Sequence, residues 1–124
     1  MEKITNTTYD QLTDHRPWGS FTILSDEVDH KVKRIVVKPG QRLSLQRHKF
    51  RQEHWLVVNG TALVTRNDEL ISVGPGEAID IAVGDVHRVQ NDGKEDVVFI
   101  EVQLGSYFGE DDIERLDDDY GRAE

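Results

Sequence analysis

The chain has 124 residues, room for one domain that buries roughly two-thirds of its unfolded surface and not for a second folded unit. Its 15 lysines and arginines face 24 aspartates and glutamates, a net charge of −9, which excludes nucleic acid and anionic membrane as the main partner because both demand clustered positive charge. Cysteine is absent, which excludes disulfides and thiolate metal sites.

From the N-terminus, residues 1–13 are polar and predict an arm or an edge strand. They lack the apolar core of a signal peptide, and no later stretch approaches the roughly 18 apolar residues of a membrane span, so a cytoplasmic protein is expected. Nine short β-rich runs follow, at 20–24, 31–38, 43–47, 54–58, 62–66, 69–73, 78–81, 87–90 and 97–104. Between them lie Pro39-Gly40, Asn59-Gly60, Asn67-Asp68, Gly74-Pro75-Gly76, Gly84-Asp85 and Asn91-Asp92-Gly93, residues that supply positive φ or a preset turn. Many short strands at near-regular spacing, with no helical period between them, predict an all-β sandwich or barrel over 14–109. The last run places Phe99, Glu101 and Gln103 on one face. Val98, Ile100 and Val102 lie on the other, expected to pack the core between sheets. The acidic segment 110–124 is expected to lie on the surface, with one short helix over 110–119.

One group of residues carries chemistry. Gln46 and His48 are two apart and share a strand face, Glu53 follows a short connection, and His87 follows the Gly84-Asp85 turn at the start of another strand. Two imidazoles, a carboxylate and an amide oxygen make a mixed nitrogen and oxygen site suited to a divalent metal, with coordination positions left open.

The spacing Gly40-x5-Gln46-x-His48-x4-Glu53-x6-Gly60 resembles the first cupin motif, with Gln46 in place of its first histidine. Gly76-x5-Ala82-x-Gly84-x2-His87-x3-Asn91 resembles the second, with Ala82 in place of its proline. That resemblance implies a cupin-type double-stranded β-helix, a jelly-roll barrel, holding one metal on Gln46, His48, Glu53 and His87. Zinc is the first expectation, with cobalt, nickel, manganese and iron also suited to these ligands. Arg16-Pro17-Trp18-Gly19, Lys33-Arg34, Leu43-Ser44-Leu45-Gln46, Arg51-x-Glu53-His54-Trp55 and Ile100-Glu101-Val102-Gln103 are similar to the type II phosphomannose isomerases. So are Gly105-x-Tyr107-x-Gly109-Glu110-Asp111-Asp112-Ile113 and Asp118-Asp119-Tyr120-Gly121-Arg122. In that family Gln46 is the expected residue. Many members carry this region behind a mannose-1-phosphate guanylyltransferase domain. No glycine-rich nucleotide loop occurs here, so guanylyl transfer is not expected. Lys49 and Phe50 stand where family members often have histidines, and Phe50 shares a side with His48 if the strand continues that far.

The resemblance implies interconversion of mannose 6-phosphate and fructose 6-phosphate, in which a hydrogen moves between C2 and C1 and a divalent cation stabilises the enediolate. Glu101 is the first candidate for the base, against a structural ion pair, and His54 the second, although its neighbour Glu53 points the other way along a strand. Arg51 and Arg88 lead for the substrate phosphate, followed by Lys33 and Arg16; Gln103 joins them as a substrate contact. Tyr107 either caps the pocket or packs on Trp18, and Trp55 belongs to the core. The partner expected is a phosphorylated hexose, and a homodimer is expected from the resemblance alone. A second reading is a cupin that binds a sugar phosphate or nucleotide sugar without turnover. A third is an Fe(II) oxygenase, which the wider resemblance disfavours.

Overall fold

The structure, a computed structural model, describes residues 12–121. Its strands are β1 (Thr13–Arg16), β2 (Gly19–Asp26), β3 (His30–Val37), β4 (Leu45–Arg47), β5 (Arg51–Asn59) and β6 (Ala62–Arg66). They continue with β7 (Glu69–Val73), β8 (Ala78–Ile81), β9 (His87–Gln90), β10 (Val97–Gly105) and β11 (Glu114–Asp117). The expected runs at 62–66, 69–73, 78–81 and 87–90 coincide with β6 to β9. Of the expected arm, residues 1–11 lie outside the described residues, and Thr13 opens β1.

Two antiparallel sheets face each other, one in the order β1-β2-β3-β10-β5-β8 and the other β11-β4-β9-β6-β7. The chain changes sheet after β3, β4, β5, β7, β8, β9 and β10, so successive connections close the barrel ends. At the turn after β5, Gly60 has φ +72°, and an added Cβ would come 2.7 Å from the Asp96 carbonyl oxygen. That position needs glycine both for its backbone and for its space. Among the described residues, Asn67 is the one non-glycine with positive φ, at 54° in the β6–β7 turn.

Inward-facing side chains alternate along each strand. On β5 these are Arg51, Glu53, Trp55 and Val57, while Gln52, His54, Leu56 and Val58 are exposed. The apolar core gathers Ile35, Val37, Val57, Val64, Val89, Val97 and Phe99 from both sheets. On β10 the inward row is Phe99, Glu101 and Gln103, all buried. Ile100 and Val102 are only half-buried on the outer face and Val98, though buried, stands outside the core cluster, so the expectation that the three form the core between the sheets is corrected. The inner face can be partly polar because the barrel interior is lined for a site at one end.

The acidic C-terminal run also departs from expectation. Among the described residues helix is limited to one 3-10 turn, Glu110–Asp112, and β11 then adds to the second sheet by pairing with β4. Its acids are engaged rather than merely solvated. The Asp112 carboxylate accepts the backbone N–H groups of Lys49 and Phe50, each at 3.0 Å. Glu114 is paired with Arg47 at 2.6 and 3.0 Å, Asp119 with Arg42 at 2.7 and 2.8 Å, and Asp117 with Arg88 at 3.3 Å. No helix of the described residues is long and apolar enough to cross a membrane.

Candidate metal centre

Three segments bring the site together. Strand β5 presents Glu53 inward, the connection between β4 and β5 carries His48, and β9 opens with His87. All three side chains are buried, at 2–3 % exposure. Nε2 of His48 lies 3.2 Å from Glu53 Oε2, and Nε2 of His87 lies 3.9 Å from Glu53 Oε1. The two imidazole centroids are 5.0 Å apart. One donor atom from each residue falls within 4.8 Å of the others. Ligand atoms around a cation with bonds of about 2.1 Å sit roughly 3.0–3.4 Å from one another, so a small contraction would close the set.

Surrounding contacts favour this use. Nδ1–H of His87 donates to the Asp85 carbonyl oxygen at 3.0 Å, which fixes the tautomer and turns the Nε2 lone pair toward Glu53. Asp85 is held in turn: its Oδ2 accepts the Ala82 N–H at 2.9 Å, and its Oδ1 accepts Nδ2 of Asn67 at 3.0 Å. Asn67 also exchanges backbone and side-chain hydrogen bonds with Val86, at 2.7 and 3.0 Å. Trp55 Nε1 donates to Glu53 Oε1 at 2.9 Å, and Arg51 Nε donates to Glu53 Oε2 at 3.0 Å. Nδ1 of His48 is buried with no hydrogen-bond partner. The Nε2 atoms of both histidines, not this nitrogen, face the Glu53 oxygens, and two imidazoles with one carboxylate are a donor set that a divalent cation takes. The residues fit a divalent cation.

Charge is finely set here. Burial by itself raises the Glu53 carboxyl, but the hydrogen bond with His48 and the charges of His87, Arg51 and His48 hold it well below the usual carboxylate range. Burial pushes the His87 imidazole down, against the opposing pull of Glu53 and the Asp85 carbonyl. Both effects favour the ligating forms, an ionised carboxylate and a neutral imidazole.

Gln46 stands opposite His87 across β4 and β9, and its Nε2 donates to Ser44 Oγ at 2.9 Å. It lines a cleft beside the cluster, together with Arg16, Lys33, Arg51, Glu101 and Arg115. Glu101 is 6 % exposed and bonded by Gln103 Nε2. Burial, then the charge of Glu53, pushes its carboxyl up to about 8, against Lys33, Arg51 and Gln103. Lys33 lies across β3 and β10 from Glu101, with its ammonium 4.4 Å from the Phe21 ring centroid.

The remaining candidates lie elsewhere. Arg88 is buried by Asp117 and by the Leu43 carbonyl oxygen, which its Nε reaches at 3.0 Å, and it does not line the cleft. His54 points to the outer face of β5, paired with Asp80 at 2.6 Å. Tyr107 is exposed, bonded to Asp111 and edge-on to Phe50, not to Trp18. Phe50 follows the end of β4 and is 53 % exposed, so its ring does not enter the interior. Arg115 was legible only through the alternation of Ile113, Glu114 and Arg115, once 114–117 is seen to be a strand. Asn67 carried its signal in the Asn-Asp turn.

Two antiparallel sheets closed around a buried group of two histidines and a glutamate define a cupin, the double-stranded β-helix class. A Klebsiella pneumoniae protein with a double-stranded β-helix domain superposes with a TM-score of 0.71 over 88 % of this chain and 95 % of its own, at 20 % identity, a likeness of fold. Residues 4–118 match the family described as mannose-6-phosphate isomerase C-terminal, and the chain belongs to it. Alginate biosynthesis protein AlgA of Pseudomonas aeruginosa is 52 % identical over 109 residues, and mannose-1-phosphate guanylyltransferase ManC of Salmonella typhimurium is 48 % identical over 109. Each alignment covers 88 % of this chain and 23 % of the relative, so the chain spans about a quarter of their length.

Proposed function

We propose that the chain is a metal-dependent isomerase that interconverts mannose 6-phosphate and fructose 6-phosphate. One observation carries the reading: the cation-ready cluster and a second buried carboxyl, Glu101, share one barrel interior, and their surroundings favour opposite protonation states. Glu53 is left ionised to hold a cation, while Glu101 keeps a proton that it can give up and take back.

His48, Glu53 and His87, with Gln46 beside them, would hold the divalent cation, zinc first. When bound, the cation supplies positive charge where the reacting oxygens of the sugar become anionic. Glu101 takes the proton from C2 and returns it to C1. A carboxyl with a pKa near the working pH can serve both halves of that transfer. Gln103 donates to Glu101 and fixes its orientation, and Arg51 keeps Glu53 ionised and aimed. Lys33 and Arg16 bring positive charge to the cleft, which suits a phosphorylated sugar.

The test is a coupled assay for fructose 6-phosphate formed from mannose 6-phosphate, with zinc, cobalt, nickel and manganese, alongside metal content. Turnover is expected with at least one metal. His48→Ala should weaken metal binding by more than the roughly 10–100-fold that changes outside the ligand set bring. Absence of turnover with every metal, together with measurable sugar-phosphate binding, would select the non-catalytic reading instead.

A further inference from the structure

We propose that Arg115, carried on β11, is the residue that binds the substrate phosphate, and that the acidic C-terminal segment exists to fix it in the cleft wall. The proposal rests on the sugar-phosphate reading above and names the residue that recognises the phosphate.

Register places Arg115 with some accuracy. It pairs with Gln46 across β11 and β4, and Gln46 pairs with His87 across β4 and β9. Residues directly opposite one another on neighbouring strands project to the same face, so Arg115, Gln46 and His87 form one inward row. Two strand spacings separate Arg115 from His87, about 10 Å between backbones. That separation sets a guanidinium at one end of the cleft and the ligand cluster at the other. The reacting C1 and C2 of a hexose 6-phosphate are likewise at the opposite end of the carbon chain from its phosphate.

The cations of the cleft are not equivalent. Arg51 is drawn to the ligand cluster: its Nε bonds Glu53, its Nη2 lies 3.3 Å from His48 Nε2, and its Nη1 reaches the Phe108 carbonyl oxygen at 3.5 Å. Arg16 pairs with Asp14 at 3.4 Å and lies 5.3 Å from the Phe21 ring centroid, and Lys33 also rests on that ring. Lysine offers a phosphate a point charge, whereas arginine offers a planar fork. Arg115 therefore combines the matching geometry with the position furthest along the row from the cluster.

The segment that carries it is clasped on both sides. Asp112 precedes it, buried on the backbone of Lys49 and Phe50, and the Glu114–Arg47 pair flanks it on the outer face. Asp117 and Asp119 follow on Arg88 and Arg42, and the Tyr120 hydroxyl donates to Gln41 at 2.6 Å. A chain of net charge −9 thus uses its acidic run to hold a cation toward the interior.

The experiment uses the metal-loaded protein, its Arg115→Gln and Arg115→Lys variants, and three ligands: inorganic phosphate, mannose 6-phosphate and GDP-mannose. Calorimetric titration with phosphate needs no turnover. Arg115→Gln should weaken phosphate and mannose 6-phosphate by about 10–100-fold, the loss of a charge-assisted pair of hydrogen bonds, with metal content intact and KM raised more than kcat is lowered. Arg115→Lys should recover part of the affinity, which also guards against misfolding of the glutamine variant. GDP-mannose, whose two phosphates form a disubstituted pyrophosphate with no terminal phosphate group, should bind more weakly than the monoester and depend less on Arg115. Unchanged phosphate affinity in both variants would overturn the assignment even if isomerase activity is found. Binding that depends on Arg115 in a protein without turnover would sink the isomerase reading and keep the subsite. GDP-mannose bound more tightly than the monoester would overturn the choice of substrate class.

Discussion

The barrel has two ends built from the same strands, and they differ in nearly every physical respect. On β10, Val97 and Phe99 point inward among aliphatic side chains, while Glu101 and Gln103 point inward among charges. The same change occurs on β5 from Val57 and Trp55 to Glu53 and Arg51, on β3 from Val37 and Ile35 to Lys33, and on β9 from Val89 to His87. Register keeps it level: Phe99 stands against Val57 and Ile35, Glu101 against Trp55 and Lys33, and Gln103 against Glu53. Trp55 marks the boundary, its ring centroid 4.9 Å from Phe99 and its Nε1–H on Glu53. The apolar end is stabilised by burial, at roughly 25 cal/mol per Å². The polar end gains little from burial and is ordered instead by hydrogen bonds, by the turn around Asn67 and by the C-terminal clasp. One end supplies stability and the other spends it on a site, as rigid scaffolds with preorganised sites generally do.

Substitutions at Phe99 and Glu101, neighbours on one inward row, sharpen that division most. Phe99→Ala should lose about 3–5 kcal/mol of stability, the usual cost of a large core truncation, while the folded fraction still binds metal. Glu101→Gln should lower kcat by about 10²–10⁴-fold, the usual contribution of a general base, while metal content and folding persist. Urea denaturation and metal analysis on both proteins read the contrast. A Glu101→Gln variant with near-normal turnover would remove Glu101 from the chemistry and leave it a structural acid.

Acidity gives the next largest effect. Folded Glu101 holds its proton up to about pH 8, whereas the unfolded carboxyl releases it near 4.5. Between those values the folded state binds the extra proton, so the stabilisation is complete below about pH 4.5 and is lost as pH rises through 8. Metal-free protein should lose stability across that window at up to about 1.4 kcal/mol per pH unit. The groups that set this are Glu53, which favours the protonated form, and Lys33 and Arg51, which oppose it. Glu101→Gln should flatten the profile, and a profile as steep as the parent's would assign the slope to other groups.

The sequence makes the middle of the fold legible because its turns are explicit. Asn59-Gly60, Asn67-Asp68, Gly74-Pro75-Gly76, Gly84-Asp85 and Asn91-Asp92-Gly93 bound β6 to β9 on both sides, and the histidines and Glu53 follow from motif spacing. The C-terminal run was hidden for a physical reason. Glu114, Arg115, Leu116 and Asp117 have weak strand propensity, and their pairing partner, β4, lies almost 70 positions earlier in the chain. Local pattern carries no information about such a partner. Arg88 misled for a related reason: nearness in sequence to His87 placed it beside the ligand, but strand alternation turns it to the opposite face and onto Asp117. Ile100 and Val102 are apolar yet lie half-buried on the outer face, because the interior at that end of the barrel is lined for a site.

The smallest effect tests how the polar end is ordered from outside it. Asn67 touches none of the ligand atoms, yet it bonds Asp85 and Val86, and the Asp85 carbonyl oxygen orients His87. Asn67 also adopts φ 54°, which asparagine tolerates and alanine resists. Asn67→Ala should therefore weaken metal binding by about 10-fold, the lower range for residues that orient a ligand without touching the metal. Asn67→Gly keeps the backbone conformation and removes only the side-chain bonds, so it separates the two causes. If metal affinity falls equally in both variants, the hydrogen bonds to Asp85 and Val86 position His87. If the glycine variant matches the parent, the turn's backbone conformation suffices. Unchanged affinity in both would show that β9 aims His87 without help from the β6–β7 turn.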